Sequence, residues 1–362
     1  MLSFQTFGRA LREGGYDFTS YLLSSEAFWS GNNPYLTGSP YPYIYPLFLT
    51  VVLIPFTFLP AVLADSLFLL LNIILLFYSF ITVVKYYVKE KLLPVENLAL
   101  PFLALTIFLL EVIQNNLLNG QINIIVLFLT ILFLVFYLKE KPIESSIFLS
   151  MAIAIKLTPL IFLFFLIKRK EYKIVSLTIL FSFLFIFGLP YLIQGSNTVE
   201  FYQYYFNKVK DLSFAENLKP KTKIFTLNDF ISFLIPVLKE TILFKILCAA
   251  AVIVILFIMD KGKSFNGPRK EILIFSIYSA GILLITPMSE THHIIVILSA
   301  LSIITYNIFF KFQVFTITGI ILLSLFIISF LSAALLNGTL YFISFVLLIT
   351  LIFSIYKVNY DN

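Results

Sequence analysis

Residues 64–84 read ADSLFLLLNIILLFYSFITVV. A stretch of that length and character matches the roughly 20 apolar residues with which one α-helix crosses about 30 Å of hydrocarbon. It is closed by Lys85, with Lys89 and Lys91 behind it. Working outward, apolar runs recur at 46–60, 98–113, 121–138, 143–155, 157–167, 172–190, 241–259, 271–286, 293–310, 312–335 and 340–357. Several are too short to span alone, 143–155 and 157–167 most clearly. Short helices are tolerated at membrane depth inside a bundle or along a cavity, where protein or water satisfies their ends. The pattern predicts an all-α fold: a polytopic transmembrane helix bundle of roughly 10–12 membrane helices, short or re-entrant ones included.

Composition excludes the soluble classes. Apolar residues make up 60% of the chain and charged residues 12%, with a mean hydropathy of +0.99. A soluble domain carries about twice that charged share. So much apolar surface needs the bilayer as its solvent. The 42 Phe and 20 Tyr suit aromatic belts at the two membrane interfaces. The net charge of +6 does not point to a nucleic-acid partner, because Lys and Arg gather in short loops between the apolar runs. Cys248 is the single cysteine, so no intrachain disulfide forms. The two histidines are adjacent, which lacks zinc-ligand spacing, and no cofactor or metal motif is present. No signal peptide is apparent, and 1–44 contains no run long enough to span.

Orientation follows from the cations. Lys85-Lys89-Lys91, Lys139-Lys141, Lys168-Arg169-Lys170-Lys173 and Lys261-Lys263-Arg269-Lys270 mark the inner face. Segments 1–45, 114–120, 191–239, 286–292 and 336–339 are then outer loops. The 191–239 loop, with Lys208, Lys210, Lys219, Lys221, Lys223 and Lys239, departs from the rule, which longer loops obey weakly. Runs 46–60 and 64–84 pose a parity problem. Two crossings return the chain outside, yet the Lys85 cluster reads inside. Either 46–60 is re-entrant or the Lys85 loop is external. With no internal repeat and no low-complexity tail, residues 1–362 read as one integral-membrane domain.

The unusual residues collect in the outer loops. Asp17 lies in Gly14-Gly15-Tyr16-Asp17-Phe18-Thr19-Ser20-Tyr21, followed by Phe28-Trp29-Ser30-Gly31-Asn32-Asn33-Pro34-Tyr35. A carboxylate in an aromatic loop at the mouth of a bundle suits a general base; the local sequence alone favours a helix cap, a common place for Asp. Asn115, Asn116, Asn119, Gly120, Gln121 and Asn123 form a dense amide cluster. Amides both donate and accept, as sugar hydroxyls require, and they also glue helices together. Lys156 stands alone in Ala154-Ile155-Lys156-Leu157-Thr158-Pro159 between two short runs. It is either a phosphate partner or a cation snorkelling to an interface. Pro287-Met288-Ser289-Glu290-Thr291-His292-His293 sets two imidazoles beside a carboxylate, for a phosphate, a proton or lipid headgroups.

Four of these segments, in this order, resemble the integral-membrane glycosyltransferases of family 87, which include polyprenyl-phosphate-mannose-dependent mannosyltransferases. They are the Asp17 segment with Gly31-Asn32-Asn33-Pro34-Tyr35 and Tyr43-Ile44-Tyr45-Pro46-Leu47, then Asn119-Gly120-Gln121-Ile122-Asn123, the Lys156 segment, and the His292-His293 segment. The resemblance implies a GT-C fold, a lipid-phosphate sugar donor and an inverting displacement on the outer face. It maps the catalytic aspartate onto Asp17 and the His-His motif onto His292 and His293. The family usually has a helix ahead of the aspartate loop and Trp-Asp ahead of His-His. Here the first is expected to be missing, and Glu290-Thr291 replaces the second.

The expected protein is a multi-pass plasma-membrane glycosyltransferase. It would move a hexose, in the first place mannose, from a polyprenyl-phosphate to a lipid or glycan acceptor among membrane lipids. Asp17 is the expected base. His292, His293 and Lys156 are expected on the donor phosphate, and Asn119, Gln121, Asn123 and Tyr35 on sugar or acceptor, without metal or cofactor. A transporter for a lipid-linked sugar would use the same polar cavity without chemistry; inverted repeats would favour it, and none is seen.

Overall fold

The computed structural model describes residues 16–90, 99–210, 242–260, 267–285, 291–299 and 301–302. Among them the chain is helical and contains no strand. The helices are α1 (Asp17–Trp29), α2 (Leu47–Thr57), α3 (Ala61–Lys89), α4 (Ala99–Leu118), α5 (Asn123–Leu138), α6 (Pro142–Ile155) and α7 (Ile161–Lys168). They continue with α8 (Tyr172–Phe183), α9 (Leu189–Gln194), α10 (Asn197–Lys210), α11 (Ile242–Met259) and α12 (Pro268–Ile285). A 3-10 turn, Thr158–Leu160, precedes α7, a π-helical turn, Leu184–Gly188, joins α8 to α9, and a 3-10 segment covers Thr291–Ile297.

Two helical stretches among the described residues are long and apolar enough to cross a membrane: Ala61–Lys89 and Tyr172–Gln194. The pair Leu109–Leu118 and Asn123–Leu138 adds a third if its 114° bend is one broken span. The run at 64–84 thus sits inside a 29-residue helix, about 43 Å long at 1.5 Å per residue. By contrast α2 has 11 residues and carries Pro55. Its length of about 16 Å crosses half the hydrocarbon, which takes 46–60 out of the full crossings and favours its re-entrant reading. The short runs at 143–155 and 157–167 are separate helices, as their length requires. The runs 312–335 and 340–357, and most of 293–310, lie outside the described residues.

Three expected loops turn out to be partly helical. The 1–45 segment contains α1. Residues 114–118 continue α4, because Gln and Asn do not break a helix that packing supports. The 191–239 segment opens with the end of α9 and with α10; Lys219, Lys221, Lys223 and Lys239 lie outside the described residues.

The chain forms two compact units that interleave in sequence. The first comprises Met1–Ser79, Ile113–Pro159 and Glu171–Lys221, the second Phe80–Val112, Leu160–Lys170 and Thr222–Asn362. In the first, α1 packs on α2, and α5 and α8 pack on α6. Serines let α6 approach closely. Ser145 Oγ donates to the Phe133 carbonyl (3.3 Å); the Ser146 and Ser150 hydroxyls are shared between carbonyls of their own helix (Pro142, 2.7 Å; Ser146, 2.6 Å) and of α8 (Ile174, 3.2 Å; Thr178, 2.9 Å). Such bonds between membrane helices contribute about 0.6 kcal/mol each. Tyr202 ties the π-helical turn to α2: its hydroxyl donates to the Ile186 carbonyl (2.6 Å) and accepts from the Leu47 amide (3.1 Å). In the second unit α12 packs on α7, α11 and the 291–297 turn.

Candidate functional site

The site begins at the first turn of α1. Tyr16 takes the cap position, and its amide donates to Thr19 Oγ1 (3.3 Å). Asp17 is therefore the first helical residue rather than the cap, where the helix dipole favours a negative charge. Phe18 locks the turn from below, stacked on Phe68 with ring centroids 4.2 Å apart and edge-on to Phe56. The half-buried Asp17 carboxylate accepts a hydrogen bond at Oδ2 from Gln121 Nε2, 2.6 Å away and 104 residues on in sequence.

Gln121 is delivered by the break between α4 and α5. Here α4 ends in a Schellman turn: the Gly120 amide donates to Leu117 O (3.3 Å) and the Gln121 amide to Asn116 O (2.9 Å). Gly120 sits at φ +60°, and a Cβ on it would come 2.5 Å from Phe18 Cβ and 3.2 Å from Tyr16 Cε2. Only glycine lets the break approach the start of α1 so closely. Where this turn commonly pairs two apolar side chains, the chain has Asn116 and Gln121. Asn116 Oδ1 accepts from Asn123 Nδ2 (3.2 Å), bracing the bend from inside. Asn123 Oδ1 in turn accepts from Lys156 Nζ (2.8 Å).

Lys156 ends α6 in extended backbone (φ −148°, ψ 126°), just before the 3-10 turn containing Pro159. Its ammonium turns to the amide cluster and lies 5.9 Å from the centre of the Tyr45 ring. The Tyr45 hydroxyl is 3.4 Å from that of Tyr21 on α1. Tyr35 stands behind: its hydroxyl donates to the Tyr45 carbonyl (3.0 Å), and its ring packs on Tyr43, Tyr204 and Tyr205. Burial pushes the Tyr21, Tyr35 and Tyr43 hydroxyls well above the ordinary tyrosine range, so they stay neutral. Neighbouring Tyr45 and the Asp17 charge push Tyr21 further the same way.

The structure thus brings Asp17, Gln121, Asn123 and Lys156 together in the first unit, with Asn119 half-buried at the same break. Asn123 is fully enclosed and Tyr35 nearly so; each holds a neighbour in place. His293, in the second unit, is half-buried in the 291–297 turn. The side chain of His292 and residues 286–290 lie outside the described residues. Sequence reasoning did not single out Tyr45, Tyr21, Tyr16 or Asp65 as site residues. Asp65 had a signal, a lone acid inside the run at 64–84. The tyrosines lay inside the quoted segments but carried no role of their own there.

A carboxylate and an ammonium held at a helix break in a membrane protein can accept a proton and meet an anion. The fold and this cluster define an all-α membrane protein equipped for such polar chemistry. The sequence pattern of Glycosyltransferase family 87 matches residues 43–287, about two thirds of the chain, and the chain belongs to that family. It is a membrane glycosyltransferase, with a sugar donor and an acceptor as its substrates. The match includes Gln121, Asn123 and Lys156 and stops short of Asp17 and of the histidines. No curated protein and no solved structure matches the chain.

Proposed function

We propose that this glycosyltransferase moves a hexose, in the first place mannose, from a polyprenyl-phosphate donor to a lipid or glycan acceptor. In this reading it is a multi-pass GT-C-type protein of the plasma membrane, with its site on the outer face. The observation that carries the reading is the Asp17–Gln121 hydrogen bond of 2.6 Å, two residues from the amide that holds Lys156. Asp17 takes the proton of the acceptor hydroxyl as its oxygen attacks the anomeric carbon. The bond from that carbon to the phosphate oxygen breaks on the opposite face, and its electron pair leaves with the polyprenyl phosphate. The anomeric centre is inverted.

Gln121 orients the base, and Lys156 meets the charge that grows on the leaving phosphate, where a fixed cation acts most strongly. His292 and His293 are assigned to the same phosphate. Asn119 and Gln121 are assigned to hydroxyls of sugar or acceptor. Asn123 and Tyr35 act one step back, through Lys156 and Tyr45.

The test is Asp17→Asn, which keeps size and hydrogen bonding and removes the base. Purified protein given radiolabelled polyprenyl-phosphate-mannose and membrane lipid extract should transfer label about 10²-fold more slowly, or worse, the scale of general-base catalysis. A variant that turns over at the wild-type rate removes Asp17 from the chemistry.

A further inference from the structure

Asp65 is the only acid in the run at 64–84, and its residue is 3% exposed on α3. Its Oδ1 accepts from the Tyr16 hydroxyl, 49 residues earlier in the chain. Its Oδ2 is buried with no hydrogen-bond partner among the described residues. A carboxylate enclosed in an apolar helix is costly, and such a group in a membrane segment by default marks function rather than packing. A single hydroxyl donor is weak compensation for that cost. What the contact does is mechanical.

Tyr16 touches the site twice. Its backbone is the cap residue immediately before Asp17. Its ring edge is the atom that a Cβ on Gly120 would meet at 3.2 Å, immediately before Gln121. Tyr16 is therefore bonded through its backbone to Asp17, and its ring lies against Gly120, the neighbour of Gln121 in the 2.6 Å Asp17–Gln121 hydrogen bond; Asp65 fixes where that phenol ends.

We infer that Asp65 is a positioning residue for the Asp17–Gln121 pair, acting through the Tyr16 hydroxyl. The kinetic part of this inference rests on the role proposed above for Asp17; the geometric part does not. In the Cys248→Ser protein, an Asp17→Cys/Gln121→Cys pair is joined by a short bifunctional thiol reagent. Adding Asp65→Ala or Tyr16→Phe should slow the cross-linking several-fold, while Asp65→Asn, which keeps an acceptor oxygen, should restore it. Cross-linking at an unchanged rate in both Asp65→Ala and Tyr16→Phe overturns the inference. Tyr16→Phe removes only a hydroxyl, so it carries the test if Asp65→Ala fails to fold.

The transfer assay supplies the second arm. Asp65→Ala should lower kcat by about 10-fold to 100-fold, as misplacing a catalytic group by an ångström does, with the KM for donor nearly unchanged. In an Asp17→Asn background the same substitution should cost nothing more, since two changes acting through one group do not add. An equal loss in both backgrounds means that Asp65 serves the fold at large, and the inference fails. Should Asp17→Asn itself turn over normally, the reading of Asp17 as base falls, and the cross-linking rates still decide the place of Asp65.

Discussion

In the second unit Arg169, at the end of α7, meets its opposite charges directly. Its guanidinium donates to both Asp260 oxygens (2.6 and 3.2 Å) and to Glu271 Oε2, and stacks 4.1 Å from the Phe165 ring. In the first unit Asp17 and Lys156 are each held by a neutral amide, Gln121 for the one and Asn123 for the other. The two arrangements do different things to charge. A guanidinium between carboxylates satisfies the hydrogen bonds and cancels much of the field. An amide satisfies a hydrogen-bond position and leaves the charge of its partner intact. The first arrangement fastens helix ends; the second places each charged group against an amide, and the chemistry proposed above would use both.

The largest expected effect breaks the fastening cluster. Arg169→Met leaves Asp260 and Glu271, with side chains 3% and 21% exposed, without their guanidinium. Removing one partner from a buried pair costs about 3–5 kcal/mol. The melting temperature in detergent should fall sharply, while protein that remains folded transfers sugar at the wild-type specific rate. A fall in that specific rate would merge the two clusters into one function.

Next comes the other cation. Lys156→Met keeps most of the length of the side chain and removes its charge. A hydrogen bond to a charged group contributes about 1.5–3 kcal/mol, so kcat should drop by about 10-fold to 100-fold. With the proposed polyprenyl-phosphate donor, the KM should change less, because the phosphodiester gains its second negative charge only as the bond breaks. Steady-state transfer rates at varied donor decide this, and unchanged kcat would make Lys156 a brace for the bend.

A smaller effect sharpens the picture of how the amides are aimed. Gly120→Ala forces a side chain into the left-handed region, at about 1–2 kcal/mol, and into Phe18 Cβ. The break should recede from α1 and carry Gln121 with it. Transfer should fall by about 10-fold with only a modest loss of melting temperature, both measured on purified protein.

Sequence and structure meet unevenly in these regions. The membrane class was legible from composition, and the separation of α6 from α7 from run length, with Lys156 at the joint. The amide cluster was visible as a feature, but its division of labour was not. That Gln121 serves Asp17 while Asn123 serves Lys156 depends on a bend of 114°, which no local pattern encodes. Helix α1 is faint in the sequence because buried Ser24 and Ser25 interrupt the apolar face of Phe18, Tyr21 and Phe28, and what holds it is tertiary packing of Phe18 and Phe28. Asp65 was hidden by its surroundings, since a window that averages hydropathy absorbs one acid. The Arg169 cluster was read only as inner-face charge; its partners lie 91 and 102 residues away.

The joint between α4 and α5 is Asn119–Ile122, four residues that look like any surface connection, where added or lost residues are usually tolerated. Here the count itself is under constraint. Each residue added or removed would shift and turn α5 against α4. Asn123 would then swing off Asn116 and Lys156 while every apolar helix kept its length. Chains built on this plan are therefore held at the joint in length as well as at Gly120 and Gln121. A one-residue insertion there should yield a protein that enters membranes normally and does no work.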